Sequence, residues 1–237
     1  MGDRMVVSDI EIEVVKKNIK NMHLSVLPPM GAVRISAPLS AKDEAIKLFA
    51  ITKIGWIKKQ IEMYRNQLRQ TEREYVTGES HYLWGRRYKM EVKYNKTANN
   101  VAIKGNKFIL TVRESSTIEQ REKVMNEWYR AELKAKLPKL VEKWERHIGV
   151  KASEVSVKNM LTRWGTCNAQ DKRIWINLQL AKKPVACLEY VVVHELVHLL
   201  EKTHNSAFIG YMDKFLPGWR ITKDELNSFI MDRYLEE

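Results

Sequence analysis

The stretch Tyr190-Val191-Val192-Val193-His194-Glu195-Leu196-Val197-His198-Leu199-Leu200-Glu201-Lys202-Thr203-His204 holds three of the chain's six histidines. Its centre is His-Glu-x-x-His, and a further histidine follows six positions on. Histidines four apart on a helix share a face, with Cβ atoms ~5–6 Å apart. His194 and His198 are therefore expected to aim one nitrogen each at a common ion, at the ~2.0–2.1 Å that zinc prefers. Glu195, about a hundred degrees round by the helical period, flanks that ion. From there it can take a proton from a metal-bound water whose pKa has fallen to about 7. The pattern reads as one metal site, holding one Zn2+ ion, with its general base.

The residues around the motif are apolar. Leu188-Glu189-Tyr190-Val191-Val192-Val193 leads into it, and Leu196, Val197, Leu199 and Leu200 fill the gaps. A helix apolar nearly all round is a buried one. Pro184 suits its first turn, where a missing N–H costs nothing. Two imidazoles and a carboxylate on a buried helix must be satisfied. A metal ion does that, and an apolar core does not.

The 237 residues can bury one large core or two small ones, and 44% apolar with 30% charged residues excludes a disordered chain. Two cysteines, Cys167 and Cys187, make no disulfide framework and fit a reducing compartment. The start, Met1-Gly2-Asp3-Arg4-Met5-Val6, lacks an apolar leader and a cleavage signal, and no apolar run approaches the ~20 residues of a membrane span. A cytoplasmic protein without membrane association is expected. The net charge of +12, from 41 basic and 29 acidic residues, raises nucleic acid as a partner. The basic residues are spread along the chain, however, which favours solvated helix faces over a polyanion groove.

Residues 10–36 alternate as strands do, through Ile10, Ile12, Val14, Leu24, Val26, Val33 and Ile35. Pro28-Pro29-Met30-Gly31 reads as a turn between them. Ser40 is expected to cap a helix from about Ala41 to Tyr75, with a break near Gly55 and a stop at Gly78. A second strand group covers Tyr82 to Val112, with turns at Asn99-Asn100 and Gly105-Asn106. Thr117 caps a helix running to Ile148, which Pro138 should kink or divide and Gly149 should end. Short strands are expected at Val155–Met160 and Arg173–Leu178. After the motif helix, one helix should run from Ser206 to Leu216 and a last one should open at Thr222 with a Glu225 capping box. No internal repeat is visible. The fold class is α+β. Residues 1–115 form a β-rich portion with one long helix. Residues 116–237 form the catalytic portion, with short antiparallel strands packed on the motif helix, and the two portions can make one compact unit.

The chain resembles the YgjP-like metallopeptidase family over most of its length. The resemblance lies in Val76-Thr77-Gly78-Glu79 with Leu83-Trp84-Gly85-Arg86-Arg87-Tyr88, in Arg163-Trp164-Gly165-Thr166-Cys167 and in the motif helix. It continues through His204-Asn205 with Phe208 to Pro217-Gly218-Trp219. Thr166 stands where the family usually has Ser, and Trp84 where Leu-Gly is usual. The resemblance implies a zinc-dependent hydrolase with a zincin-like site, and it supports His204 as the third metal ligand.

On the residues alone that ligand stays open. His204 has the metzincin spacing, but Glu201 occupies the position where those proteins place glycine. Glu201 itself completes an i, i+4, i+7 series with His194 and His198, and Asp213 or Glu225 would be a gluzincin solution. Cys167 as a fourth ligand would close the site and make it structural. Arg163, Trp164, Gly165, Asn205 and Tyr211 are candidate substrate-binding residues. Arg163 would steady developing negative charge, Gly165 would admit a substrate backbone, and the Tyr211 hydroxyl would face an oxyanion. HExxH helices mostly serve proteases, so a peptide is the expected substrate. The alternatives are an anionic small molecule cut at a phosphoanhydride, a DNA-associated protease resembling SprT-like proteins, and a binding module with structural zinc.

Overall fold

The computed structural model describes residues 3–27, 31–66, 73–160 and 162–228. They fall into two compact units, one within Met1–Thr71 and one within Glu72–Met231. The first unit holds β1 (Asp3–Val7), β2 (Ile10–Lys17), β3 (His23–Leu27) and β4 (Ala32–Pro38), in the order β1-β2-β4-β3. The outer pairs are antiparallel and the central pair β2–β4 is parallel. Period-2 alternation puts Ile12, Val14, Val33, Ile35 and Ala37 on one buried face. Ile46 and Ala50 of α1 (Asp43–Thr52) and Ile57 of α2 (Ile54–Asn66) share that core. The expected turn at 28–30 and the expected helix over 67–72 lie outside the described residues.

Three local expectations change here. Strand β1 is additional: Ser8 and Asp9, at φ 45° and 67°, make the tight turn that folds it back on β2. The helix breaks at Lys53, whose N–H turns back to the Ala50 carbonyl, two residues before Gly55. Ser40 does not cap α1, which opens at Asp43 with Lys42 at the cap position and no side-chain bond.

The second unit begins with β5 (Ser80–Leu83), β6 (Arg86–Tyr94), β7 (Asn100–Lys104) and β8 (Lys107–Val112). Their order, β5-β6-β8-β7 with a parallel β6–β8 centre, repeats the topology of the first sheet, although the sequence shows no repeat. Met90, Phe108 and Leu110 of this sheet pack with Met125, Tyr129 and Leu133 of α3 (Ile118–Ile148) in one core. This sheet and α3 thus belong to one compact unit, within Glu72–Met231.

Thr117 caps α3 with a complete capping box to Gln120, and Gly149 ends it in the left-handed region at φ 80°. Pro138 does not divide α3. Leu133, Leu137, Val141 and Trp144, on both sides of it, are held in the same core. Next come β9 (Glu154–Lys158), β10 (Gly165–Asn168) and β11 (Arg173–Asn177), in the order β10-β11-β9. The β9–β11 pair is parallel, and only β10 is antiparallel to its neighbour. A short 3-10 turn over Leu178–Lys182 leads into α4 (Val185–Val197), which Pro184 precedes as cap residue. The chain continues in α5 (Ser206–Phe215) and α6 (Trp219–Ser228). Helix α6 opens three residues before Thr222, because Gly218 at φ 83° turns the chain and Trp219 is already buried. The architecture is mixed α+β, with small sheets and six helices among the described residues.

Replacing Thr117 with Ala removes the cap of the helix that carries the second core. We expect a loss of about 1 kcal/mol in denaturant unfolding. An unchanged midpoint would show that the capping box contributes nothing.

Candidate metal centre

Helix α4 is buried over most of its surface, and Leu188, Val191, Val192, Val193, Leu196 and Val197 are all in the core. It is too short and too flanked by charge to cross a membrane, and no helix among the described residues is long and apolar enough to do so. The β5–β6 hairpin tip fixes its entry. Trp84 donates its backbone N–H to Ala181 O at 2.8 Å, and Gly85 lies against Pro184, where a Cβ would come within 3.0 Å. Along α4, Glu189 ties the helix to α3 by accepting from Lys143 Nζ (2.7 Å) and Trp144 Nε1 (2.9 Å).

At the far end of α4 the three histidines converge. The ring centroids of His194, His198 and His204 lie 4.7–5.0 Å apart. One nitrogen from each falls within 4.8 Å of the others. This is the only such group of three histidine, cysteine or acidic residues among the described residues. Glu201, Asp213, Glu225 and Cys167 are not members of it. Asp213 is held instead by Trp219 Nε1 and Arg220. Glu201 leaves the expected face because α4 stops at Val197, with His198 as its cap residue.

The donor set fits a cation. His198 Nδ1 lies 3.0 Å from the Glu201 carbonyl, which can only accept, so its Nε2 is left as an electron-pair donor. His194 Nε2 and His204 Nε2 face each other at 3.0 Å. Burial, reinforced by His198 and His204, pushes His194 down to about 3, so its ring is neutral at pH 7. Two ring nitrogens facing each other this closely need a shared proton or a shared cation. His194 Nδ1 is buried with no hydrogen-bond partner.

Glu195 is 5% exposed, and burial pushes its carboxyl up to about 8 against the opposing field of Arg163. Gly165 makes room for it. A Cβ at Gly165 would stand 2.6 Å from Glu195 Oε1 and 2.8 Å from Val191 Cγ1. The side of Gly165 that a Cβ would occupy is thus filled by Glu195 itself. Cys167 lies one step along the same face of β10, with its thiol pushed up to about 11 by burial and by Glu195.

The remaining expected residues are spread around this centre. Arg163 is exposed on the loop entering β10, and Trp164 beside it is half-buried with Lys183 Nζ 5.9 Å over its ring. Asn205 caps α5, accepting from Phe208 N–H at 3.0 Å. Tyr211 stacks on Phe215 at 6.1 Å. Sequence reasoning missed Asn177 and Phe208. Asn177 is fully buried and donates to Met160 O (2.8 Å) and Arg163 O (2.7 Å), while its own N–H reaches Trp164 O at 2.9 Å. It therefore holds the loop that carries Arg163. An asparagine directly after a strand and before Leu-Gln-Leu is the local signal for such a cap. The Phe208 ring packs against all three imidazoles, with centroids 4.6–5.0 Å away.

Three imidazoles thus converge next to the end of α4, the helix that carries the buried Glu195. The model of the YgjP-like metallopeptidase domain matches residues 20–229, and the chain belongs to that family. No curated protein matches the chain. Among solved structures, the metallopeptidase zymogens abylysin of Pyrococcus abyssi and jannalysin of Methanocaldococcus jannaschii resemble part of it. Their identities are 20% and 18% and their TM-scores 0.35 and 0.34, over 38% of this chain and 90% of each of theirs.

Two outcomes follow from this packing. Gly165→Ala must displace Glu195 or Val191, and we expect a loss of about 1–3 kcal/mol in unfolding free energy; wild-type stability would refute the close approach. The metal-free protein should also show a defined pH profile. Glu195, raised from 4.5 to about 8, contributes stability that is full below pH 4.5 and is lost as pH rises through about 8. His194, lowered from 6.5 to about 3, contributes stability that is full above pH 6.5 and is lost as pH falls. The two slopes oppose each other between pH 4.5 and 6.5, and above that only the slope of Glu195 remains. Denaturant melts of metal-stripped protein should therefore lose stability from pH 6.5 to 8, and Glu195→Gln should remove most of that loss. A profile with the same slope in both proteins would contradict the assignment.

Proposed function

We propose that the chain is a zinc-dependent metallopeptidase of zincin-like design, with Glu195 as general base. The convergence of His194, His198 and His204 beside the buried Glu195 carries this reading. These three histidines would hold one ion. When bound, zinc supplies Lewis acidity, acidifies water to a pKa of about 7, and as a nearby cation draws the Glu195 carboxyl down. Glu195 Oε then accepts a proton from the attacking water and returns it to the leaving amine nitrogen. Gly165 lets that carboxylate lie against β10. Arg163, held by Asn177, keeps a positive charge near Glu195 and is available to a carbonyl oxygen gaining negative charge.

The sheet order supports a peptide as substrate. Among the described residues β10 pairs with one strand, β11, which would leave its other edge for an extended backbone. Trp164 and Gly165 would line that edge, and Asn205 and Tyr211 would lie on the opposite wall. The geometry supports an open catalytic site over a closed structural one, because Cys167 is not among the converging donors.

Glu195→Gln should keep bound zinc and lower casein hydrolysis by about 10²–10⁴-fold, whereas His194→Ala should lose the metal. Zinc content by atomic absorption and peptide release measure the two effects. Hydrolysis undiminished in Glu195→Gln would refute the role of Glu195. Turnover of nucleoside triphosphates, but not casein, would move the substrate to a phosphoanhydride.

A further inference from the structure

The three histidines are not held alike. His194 lies in the last turn of α4 and His198 is its cap residue, while His204 is exposed in the connection to α5. No helix positions the His204 ring, and the bonds that shape this connection centre on Glu201. The Glu201 carbonyl accepts from His198 Nδ1 at 3.0 Å. Glu201 Oε1 accepts from Thr203 N–H and Thr203 Oγ1, each at 3.0 Å. The Asn205 side chain also bonds the Glu201 carboxylate. Asn205 in turn caps α5 through Phe208 N–H, and the Phe208 ring lies against all three imidazoles.

We propose that Glu201 is a positioning residue whose carboxylate fixes the turn that presents His204. The proposal rests on the reading of the three histidines as ligands. Glycine is one way to turn a chain between a helix and a third ligand. Here a carboxylate does it, by gathering the donors of residues 203 and 205 into one closed turn. Its position in the sequence suits a ligand, but its Oε1 is taken by Thr203, its carboxylate also bonds Asn205, and it is not among the converging donors. Groups that orient metal ligands through hydrogen bonds typically change metal affinity 10–100-fold when removed.

The test uses the full chain, with zinc affinity read by competition with a chromophoric chelator. Glu201→Ala should weaken zinc binding about 10–100-fold. Glu201→Gln, which keeps one side-chain oxygen as acceptor, should stay close to wild type. In a His204→Ala background, Glu201→Ala should cause no further loss, because its effect passes through His204. A metal-independent readout accompanies these: in metal-free protein the Thr203 amide should exchange slowly with solvent, and Glu201→Ala should abolish that protection. Unchanged affinity in Glu201→Ala would overturn the proposal. A further loss in the His204→Ala background would also overturn it and make Glu201 a direct ligand. An unprotected Thr203 amide in the unaltered chain would remove the turn, whatever the metal does. Absence of zinc binding by the unaltered chain, with Thr203 still protected, would instead refute the reading of the histidines as ligands.

Discussion

Burial of a charged-type side chain on α4 governs the rest of this structure. A carboxyl that is 5% exposed, on a helix whose other faces lie in an apolar core, has lost most of its water. Such a group persists only where something offsets the desolvation. Here Arg163 contributes the favourable field. Around the carboxyl, the backbone of β10 lies so close that only glycine fits at 165, and three nitrogen donors able to share a cation stand at the same helix end. Each of these demands placement of a different segment. The loop before β10, the turn after α4 and the cap of α5 must all be correct for one buried carboxylate to be tolerable.

The scaffold supplies that placement through α3 and the second sheet. Helix α3 spans the core for 31 residues and meets α4 through the Glu189 bonds to Lys143 and Trp144. The β5–β6 hairpin reaches the opposite end of α4, where Trp84 adopts φ 50° and Gly85 touches Pro184. A tryptophan in the left-handed region is uncommon and is held by surrounding structure. Its N–H bond to Ala181 and the Lys136 ammonium 5.0 Å over its ring are that structure. Asn177 performs the matching task on the other side, bonding the loop of Arg163 from within the core.

What could be read in the sequence follows from the range of the interactions. The helix spacing of His194 and His198, the Thr117 cap and the Gly149 stop are all set within a few residues, and each appears where expected. The fold class depends on the same local periods. Three things were not legible. The end of α4 at Val197 depends on the turn beyond it, so the apparent i, i+4, i+7 series through Glu201 was a register the helix never reaches. Pro138 was expected to kink or divide α3; it does not divide it, because apolar side chains on both sides commit both halves to one core, a tertiary effect that outweighs one missing backbone bond. The close contact of Gly165 with Glu195 joins residues thirty apart in sequence, and a glycine in a strand does not announce which neighbour it admits.

The basic character of the chain has a consequence at this site that net charge alone does not convey. Much of the positive charge lies over aromatic rings: Lys136 on Trp84, Lys182 on Tyr129, Lys183 on Trp164, and both Arg220 and Lys223 on Trp219. These contacts set where individual cations stand. Two cations reach the candidate centre. Lys223 helps burial to keep His194 deprotonated, and Arg163 works against burial to favour the ionised form of Glu195. Both effects push in the direction that binding a cation requires, because a ligand must be neutral imidazole and a general base must be carboxylate. Burial alone would give the first and oppose the second. Placing positive side chains at the edge of a buried carboxylate and three imidazoles eases that conflict, although burial still outweighs Arg163 at Glu195, and another acidic residue would raise its carboxyl further. At the centre, the local arrangement of these cations therefore says more about chemistry than the excess of twelve positive charges says about a partner.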